Sequence, residues 1–442
     1  AWGAGLAVEP VDGVKFFGRY IDEFEQVNAG VSFSLGGVRL ATSAHYDEGG
    51  SNNYMSYNFR TGFHTPNSFE PLFMKNNAYV RMDFDDDIKY RRYILFDEGG
   101  HTLVEVLDRL NEIEDDVRVK GVALRITEEM SGSWELVWEV REKLIDLRRN
   151  GKKVVAFLER GDMKHYYLAS AADKIMVDPE SIVALPGFVM GRTYMNALLE
   201  DKLELGVDAW QYFKYKTAFE SLSRREMSEG DREQRYALIE DFYDVFRSDI
   251  AETRKISAED VDHIVNNVPI MTTDSLLTYN LADTTGRWED MSDYLESIEG
   301  DKKSIYGEDQ YGNLIVIDDI WGPKPKIALV YALGVCALEE GIEGRHLADI
   351  IDGIRKDKTI EAMILRVDSP GGDILPSDLV AAEIKDLAKE KPVIVSQGYV
   401  AASGGYWISM YGDTIVASPF TITGSIGVIG GWIWNDGLGE KL

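Results

Sequence analysis

Residues 406–419 read YWISMYGDTIVASP, and residues 166–179 read YYLASAADKIMVDP. Tyr406 stands against Tyr166, Asp413 against Asp173 and Pro419 against Pro179, each at an offset of 240. A second pair, AMILRVD around Arg366 and GVALRIT around Arg125, matches at an offset of 241. Self-similarity at a fixed spacing marks repeated structural units, so the chain reads as a tandem duplication. Outward from these anchors, each half alternates strand-like and helix-like runs. The first half gives AYVRMDF, HTLVEVLDRLNEIEDD, VKGVALRIT, SWELVWEVREKLIDLRRNG and KKVVAFLE; the second gives KIALVYA, HLADIIDGIRKD, IEAMILRV, SDLVAAEIKDLAKEK and PVIVSQG. Alternation of this kind packs helices on a mostly parallel sheet, an α/β architecture.

Around these halves the composition shifts. Residues 1–64 show short alternating runs, aromatics and the turn signals DG, GG and EGGSNN, which predict antiparallel β-hairpins. Outer-membrane barrel strands and ordinary soluble β-domains share that pattern, and about five strands cannot close a membrane barrel alone. The expected boundaries are 1–64 for the hairpin segment, 65–77 for a linker and 78–287 for a first, degenerate repeat. A polar connector follows at 288–325, then a second repeat at 326–442 that reads as C-terminally truncated.

Bulk properties narrow the function. The 442 residues are 45% hydrophobic, enough for more than one packed core. Lys and Arg number 47 against 76 Asp and Glu, a net charge of −29 that repels phosphate backbones and argues against nucleic-acid partners. Cys336 is the one cysteine, so no intramolecular disulfide forms. Apolar runs fall well short of the roughly 18 residues of a membrane-spanning helix.

The two halves differ where chemistry would sit. Ser403-Gly404-Gly405 stands against Met163-Lys164-His165, and Asp368-Ser369-Pro370-Gly371-Gly372 against Thr127-Glu128-Glu129-Met130-Ser131. The first half keeps the strands and helices without the small residues, so packing alone does not require them. SPGG after a buried strand gives a proline-stiffened turn followed by two residues free to adopt positive φ. ASGG starts a helix, where unpaired N–H groups gather. One N–H from each segment makes a two-donor hole for an oxyanion, with the amides of Gly372 and Gly404 as first choices and Gly371 close behind. None of the six histidines lies in a motif beside these glycines, which leaves a desolvated lysine as the alternative base. Lys216, among Trp210, Tyr212, Phe213, Tyr215 and Phe219, has a sequence setting compatible with burial.

SPGG, then AASGGYWIS, then TGSIG resembles the bacterial signal peptide peptidase A (protease IV) family, in its long duplicated form, over about residues 78–442. The resemblance implies a crotonase/Clp-protease-like fold of repeated ββα units. It also implies that Ser403 is the nucleophile and that Lys216, in Tyr215-Lys216-Thr217-Ala218, is the general base, with Thr where the family has Ser. The expected activity is a serine endopeptidase with a Ser–Lys dyad, needing no metal or other cofactor. Its substrates would be hydrophobic peptides such as cleaved signal peptides. A homo-oligomer, a tetramer in the long form, and membrane association at the periplasmic face of the bacterial envelope are implied too. The family's long form carries an N-terminal helical anchor; here β-hairpins stand in that place, which leaves the outer membrane open as the address. A non-catalytic membrane-associated scaffold and an acyl-CoA hydratase or isomerase are the competing readings of the same fold.

Overall fold

The computed structural model describes residues 3–11, 14–22, 25–35, 38–47, 49–61, 78–92, 99–312 and 325–441. They form two compact units. One gathers the described parts of 1–80, 112–121 and 303–322; the other gathers those of 81–111, 122–302 and 323–442.

In the first unit, Gly3–Val11, Val14–Ile21, Gln26–Leu35, Val38–Tyr46 and Asn52–Thr61 form one five-stranded sheet in chain order. Each strand pairs antiparallel with the next. Short polar and glycine-containing links suit such hairpins. The linker expected at 65–77 lies outside the described residues. Ser304–Tyr306 pairs in parallel with Ala78–Val80, so part of the expected connector is sheet. The same stretch also holds the helices Met291–Glu299 and Glu308–Gly312. These short elements fall within the stretch expected as a polar connector, 288–325. A three-residue strand and a five-residue helix are too short to imprint a period on the sequence.

The second unit is built on parallel sheets. One runs in the order Thr284–Thr285, Lys174–Val177, Lys153–Leu158 and then the strands ending at Ile126 and at Phe84. The other runs Thr414–Ala417, Val393–Ala402, Ile360–Ser369, Lys326–Leu333. Lys174–Val177 and Thr414–Ala417 begin and end 240 residues apart, as do Ile182–Ala184 and Ile422–Gly424.

The helix Gly344–Lys356 turns Leu347, Ile351 and Ile354 inward, one face of a 3.6-residue period. They join Leu365, Val367, Val393 and Val395 in a single apolar cluster. Each such side chain contributes about 1.5–3 kcal/mol on burial. The strand Val393–Ala402 runs four residues beyond the expected end at Gly398 because it forks. Its first half pairs with Thr414–Ala417, and Val400–Ala402 pair with Ile422–Gly424. The fork carries the chain to Ser403.

Leu365→Ala is expected to lower the urea midpoint by an amount equivalent to about 2–5 kcal/mol, since Leu365 is fully buried. Ile394→Ala, at a 42% exposed neighbour position, is expected to change stability by about 0.5 kcal/mol. Equal losses at the two positions would contradict this core.

Candidate active site

Ser403 sits where the strand Val393–Ala402 gives way to the helix Gly404–Ser409. Its backbone is at φ 55° and ψ −115°, a conformation L-residues rarely adopt. Serine is a favoured N-cap because its hydroxyl binds the first free N–H groups, yet Ser403 makes no such bond. The matching junction of the first half is relaxed and capped. There Asp162 is at φ −108°, and its carboxylate accepts the N–H groups of Lys164 and His165. The second half therefore withholds its hydroxyl from the helix, at a backbone cost of about 1–3 kcal/mol. Two bonds hold the strained residue: Ser403 N–H donates to Gly424 O at 2.9 Å, and Trp407 N–H donates to Ser403 O at 2.9 Å.

The SPGG segment lies directly against this turn. A Cβ on Gly371 would stand 2.7 Å from Ser403 Cβ and 2.6 Å from Gly404 N, so only glycine permits the approach; its φ of 90° requires glycine as well. Cys336 N–H donates to Gly371 O at 2.9 Å, and Asp373 N–H donates to Cys336 O at 2.8 Å. In such a parallel bridge the residue between, Gly372, turns its own N–H away from Cys336. The amide of Gly371 is engaged, donating to buried Ser369 Oγ at 3.2 Å. Of the three glycines expected from sequence, Gly371 is thus the one whose amide already has an acceptor.

Lys216 comes from the loop after the strand Leu205–Gln211, which pairs antiparallel with Ile429–Asn435, Gln211 opposite Ile429. That ribbon aligns the loop with the TGSIG segment. Lys216 Nζ donates to the carbonyl oxygen of Ser425 and lies 3.1 Å from its Oγ. Ser425 is itself at φ 47° and directly follows Gly424, the acceptor of the Ser403 N–H. Lys216 is 4% exposed, and burial pushes its ammonium pKa below the ordinary lysine value. The reason differs from the one read from sequence: Trp210, Tyr212, Phe213 and Tyr215 are all exposed. A neutral amine has two N–H donors and one lone pair. With both donors on Ser425, the lone pair is left to accept a proton.

Sequence reading missed Ser425 and the clamp behind Lys216. Thr217 Oγ1 donates to Asp231 Oδ1 at 2.9 Å, and Arg192 pairs with Asp231 at 3.1 Å while donating to Thr217 O at 2.7 Å. Arg235 also pairs with Asp231, at 3.1 Å. Burial works to raise the Asp231 carboxyl, but the bonds from Thr217, Arg192 and Arg235 outweigh it and hold its pKa below the ordinary value. The only sequence signals were TGSIG, already part of the motif set, and Asp231 in the SEGDRE run after the lysine.

A cavity of about 600 Å³ opens beside Ser403, bordered by Gly372 and Gly404. Its remaining wall is mostly apolar: Tyr406, Trp407, Met410, Ile426, Val428 and Ile429.

The model of peptidase family S49 matches residues 146–300 and 385–442. The Arabidopsis thaliana protein described as serine protease SPPA, chloroplastic, is 30% identical over 363 residues, covering 79% of this chain and 52% of its own length. Protease 4 of Salmonella typhi is 31% identical over 351 residues, covering 75% of this chain and 55% of its own length. Protease 4 of Haemophilus influenzae is 28% identical over 381 residues, covering 81% and 62%. The chain thus spans between 52% and 62% of the length of these curated relatives.

Ser425→Ala removes one of the two groups that orient Lys216 Nζ. It is expected to slow fluorophosphonate labelling of Ser403 about tenfold, the kinetic equivalent of one hydrogen bond of about 1.4 kcal/mol. An unchanged labelling rate would show that Ser425 does not set the lysine's position.

Proposed function

The chain belongs to peptidase family S49, and on that premise we propose that it is a serine endopeptidase in which Ser403 and Lys216 form the catalytic dyad. The observation that carries the reading is the pair of bonds on adjacent residues: Gly424 O holds the Ser403 amide and Ser425 holds the Lys216 amine. Lys216 Nζ, in the neutral form that burial favours, takes the proton of Ser403 Oγ as that oxygen attacks the scissile carbonyl carbon. The N–H groups of Gly372 and Gly404 receive the oxyanion. Collapse breaks the C–N bond, and the leaving amine takes the proton from Lys216. Water then attacks the acyl-enzyme with the same base, releasing the acid and restoring Ser403.

The apolar cavity supports hydrophobic peptides as substrates, since Trp407, Met410 and Ile426 give a side chain an unsolvated site. The elements that recur at a 240-residue spacing support a tandem duplication in which the first half supplies the base and the second the nucleophile. Trp210 and Trp432, 56% and 61% exposed on the ribbon, support assembly into a homo-oligomer.

Lys216→Ala is expected to lower cleavage of a fluorogenic hydrophobic peptide by about 10²–10⁴-fold with the circular dichroism spectrum unchanged. Full activity in that variant removes lysine from the mechanism. Because the base works unprotonated and its pKa is lowered, the rate should rise with pH through the Lys216 pKa. It should level off at lower pH than an ordinary solvated lysine would allow. A rate that falls across the same rise in pH would contradict the assignment.

A further inference from the structure

The five-stranded sheet of the first unit is polarised in the reverse sense of a water-soluble sheet. Cross-strand register lines up Val14, Phe33, Leu40 and Phe59 in one row, and Val8, Phe16, Val31, Thr42 and Tyr57 in the next. These rows lie on one face, which carries no charged side chain at its described strand positions. Lys15, Arg19, Asn28, Ser32, Arg39 and Ser43 lie on the other. A one-sided antiparallel sheet in water hides its apolar face and wets its polar one. Here Phe33, Leu40 and Phe59 are 54%, 54% and 67% exposed, while Ser32 and Ser43 are 1% and 5% exposed.

Several side chains of the polar face pair with one another. Arg39 donates to Ser32 Oγ at 3.2 Å, Ser43 Oγ and Ser56 Oγ are 2.8 Å apart, and His45 Nε2 is 3.1 Å from Ser56 Oγ. Cross-strand Cβ atoms ordinarily stand about 4.5–5.5 Å apart, but a Cβ built on Gly30 would stand only 2.7 Å from Ser43 Cβ, so at this position the strands approach closely on the polar side. The strands have 9, 8, 10, 9 and 10 residues, close to the roughly 9–11 that a tilted strand needs to cross a bilayer.

We propose that this sheet is a segment of a transmembrane β-barrel wall, with the Phe33–Leu40–Phe59 face against lipid hydrocarbon and the Ser32–Ser43–His45 face lining the interior. In hydrocarbon every strand edge must be paired. Gly3–Val11 and Asn52–Thr61 are each paired on one side within this sheet, so strands outside residues 3–61 complete the wall. The assignment is independent of the chemistry at Ser403.

The test places single cysteines at Tyr57→Cys and Asn58→Cys, neighbouring exposed positions on opposite faces of an edge strand. Cys336 is buried and stays unlabelled. Each full-length variant carries an environment-sensitive fluorophore and is reconstituted into vesicles of phosphatidylethanolamine and phosphatidylglycerol bearing acyl-chain nitroxides. The fluorophore at 57 is expected to shift to the blue and to be quenched about threefold, while that at 58 is not, following the alternation of a lipid-facing strand. Equal quenching at both positions, or none at either in protein that floats with the vesicles, overturns the proposal. So does folded protein that stays in detergent-free buffer and cross-links through position 57 to a second copy.

Discussion

Two consecutive residues, Gly424 and Ser425, tie the candidate site together. Gly424 O fixes the backbone of Ser403, and Ser425 accepts the buried amine of Lys216, which lies 209 residues away along the chain. Neither bond is strong alone, about 0.5–1.5 kcal/mol net. Their value is geometric, because both end on one short segment that is a strand on one side and a ribbon on the other. Ile422–Gly424 is locked to Val400–Ala402 in parallel register, and Ile429–Asn435 is locked antiparallel to Leu205–Gln211. The sheet sets the serine and the ribbon sets the lysine.

The same arrangement explains where strain and charge burial are tolerated. Ser403 at φ 55° costs energy that its neighbours offset through close packing: Gly404 against Ser377, and Gly405 against Ser369. A buried charged lysine would ordinarily be destabilising; here burial lowers the Lys216 pKa and Ser425 engages the amine. The Asp231 cluster with Arg192, Arg235 and Thr217 keeps the adjoining loop from relaxing outward.

Much of this was legible in the sequence, for physical reasons that differ from residue to residue. Comparing the two halves exposed Ser403, Gly371 and Gly372, because one half performs the same folding task without them. The helices and strands of the second unit were legible from period, since long amphipathic runs leave a mark. Ser425 was not: one hydroxyl in a short apolar segment has no periodic signature, and its role depends on a contact far along the chain. Lys216 was found amid aromatics that lie on the surface, so its burial comes from tertiary contacts the local sequence does not encode. In residues 3–61 the alternation was plain, but alternation alone does not say which face is hidden. The burial of Ser32 and Ser43 against the exposure of Phe33, Leu40 and Phe59 decides that.

Activation of Ser403 by Lys216 is tested most directly by the rate of covalent fluorophosphonate attachment to Ser403 as a function of pH, read by mass spectrometry. An adduct on Ser403 is expected, its rate of formation climbing with pH through a lowered lysine pKa. Lys216→Arg, which cannot lose its proton in this range, is expected to label far more slowly and to lose that pH dependence. An adduct on another residue, or an identical profile in Lys216→Arg, would contradict it.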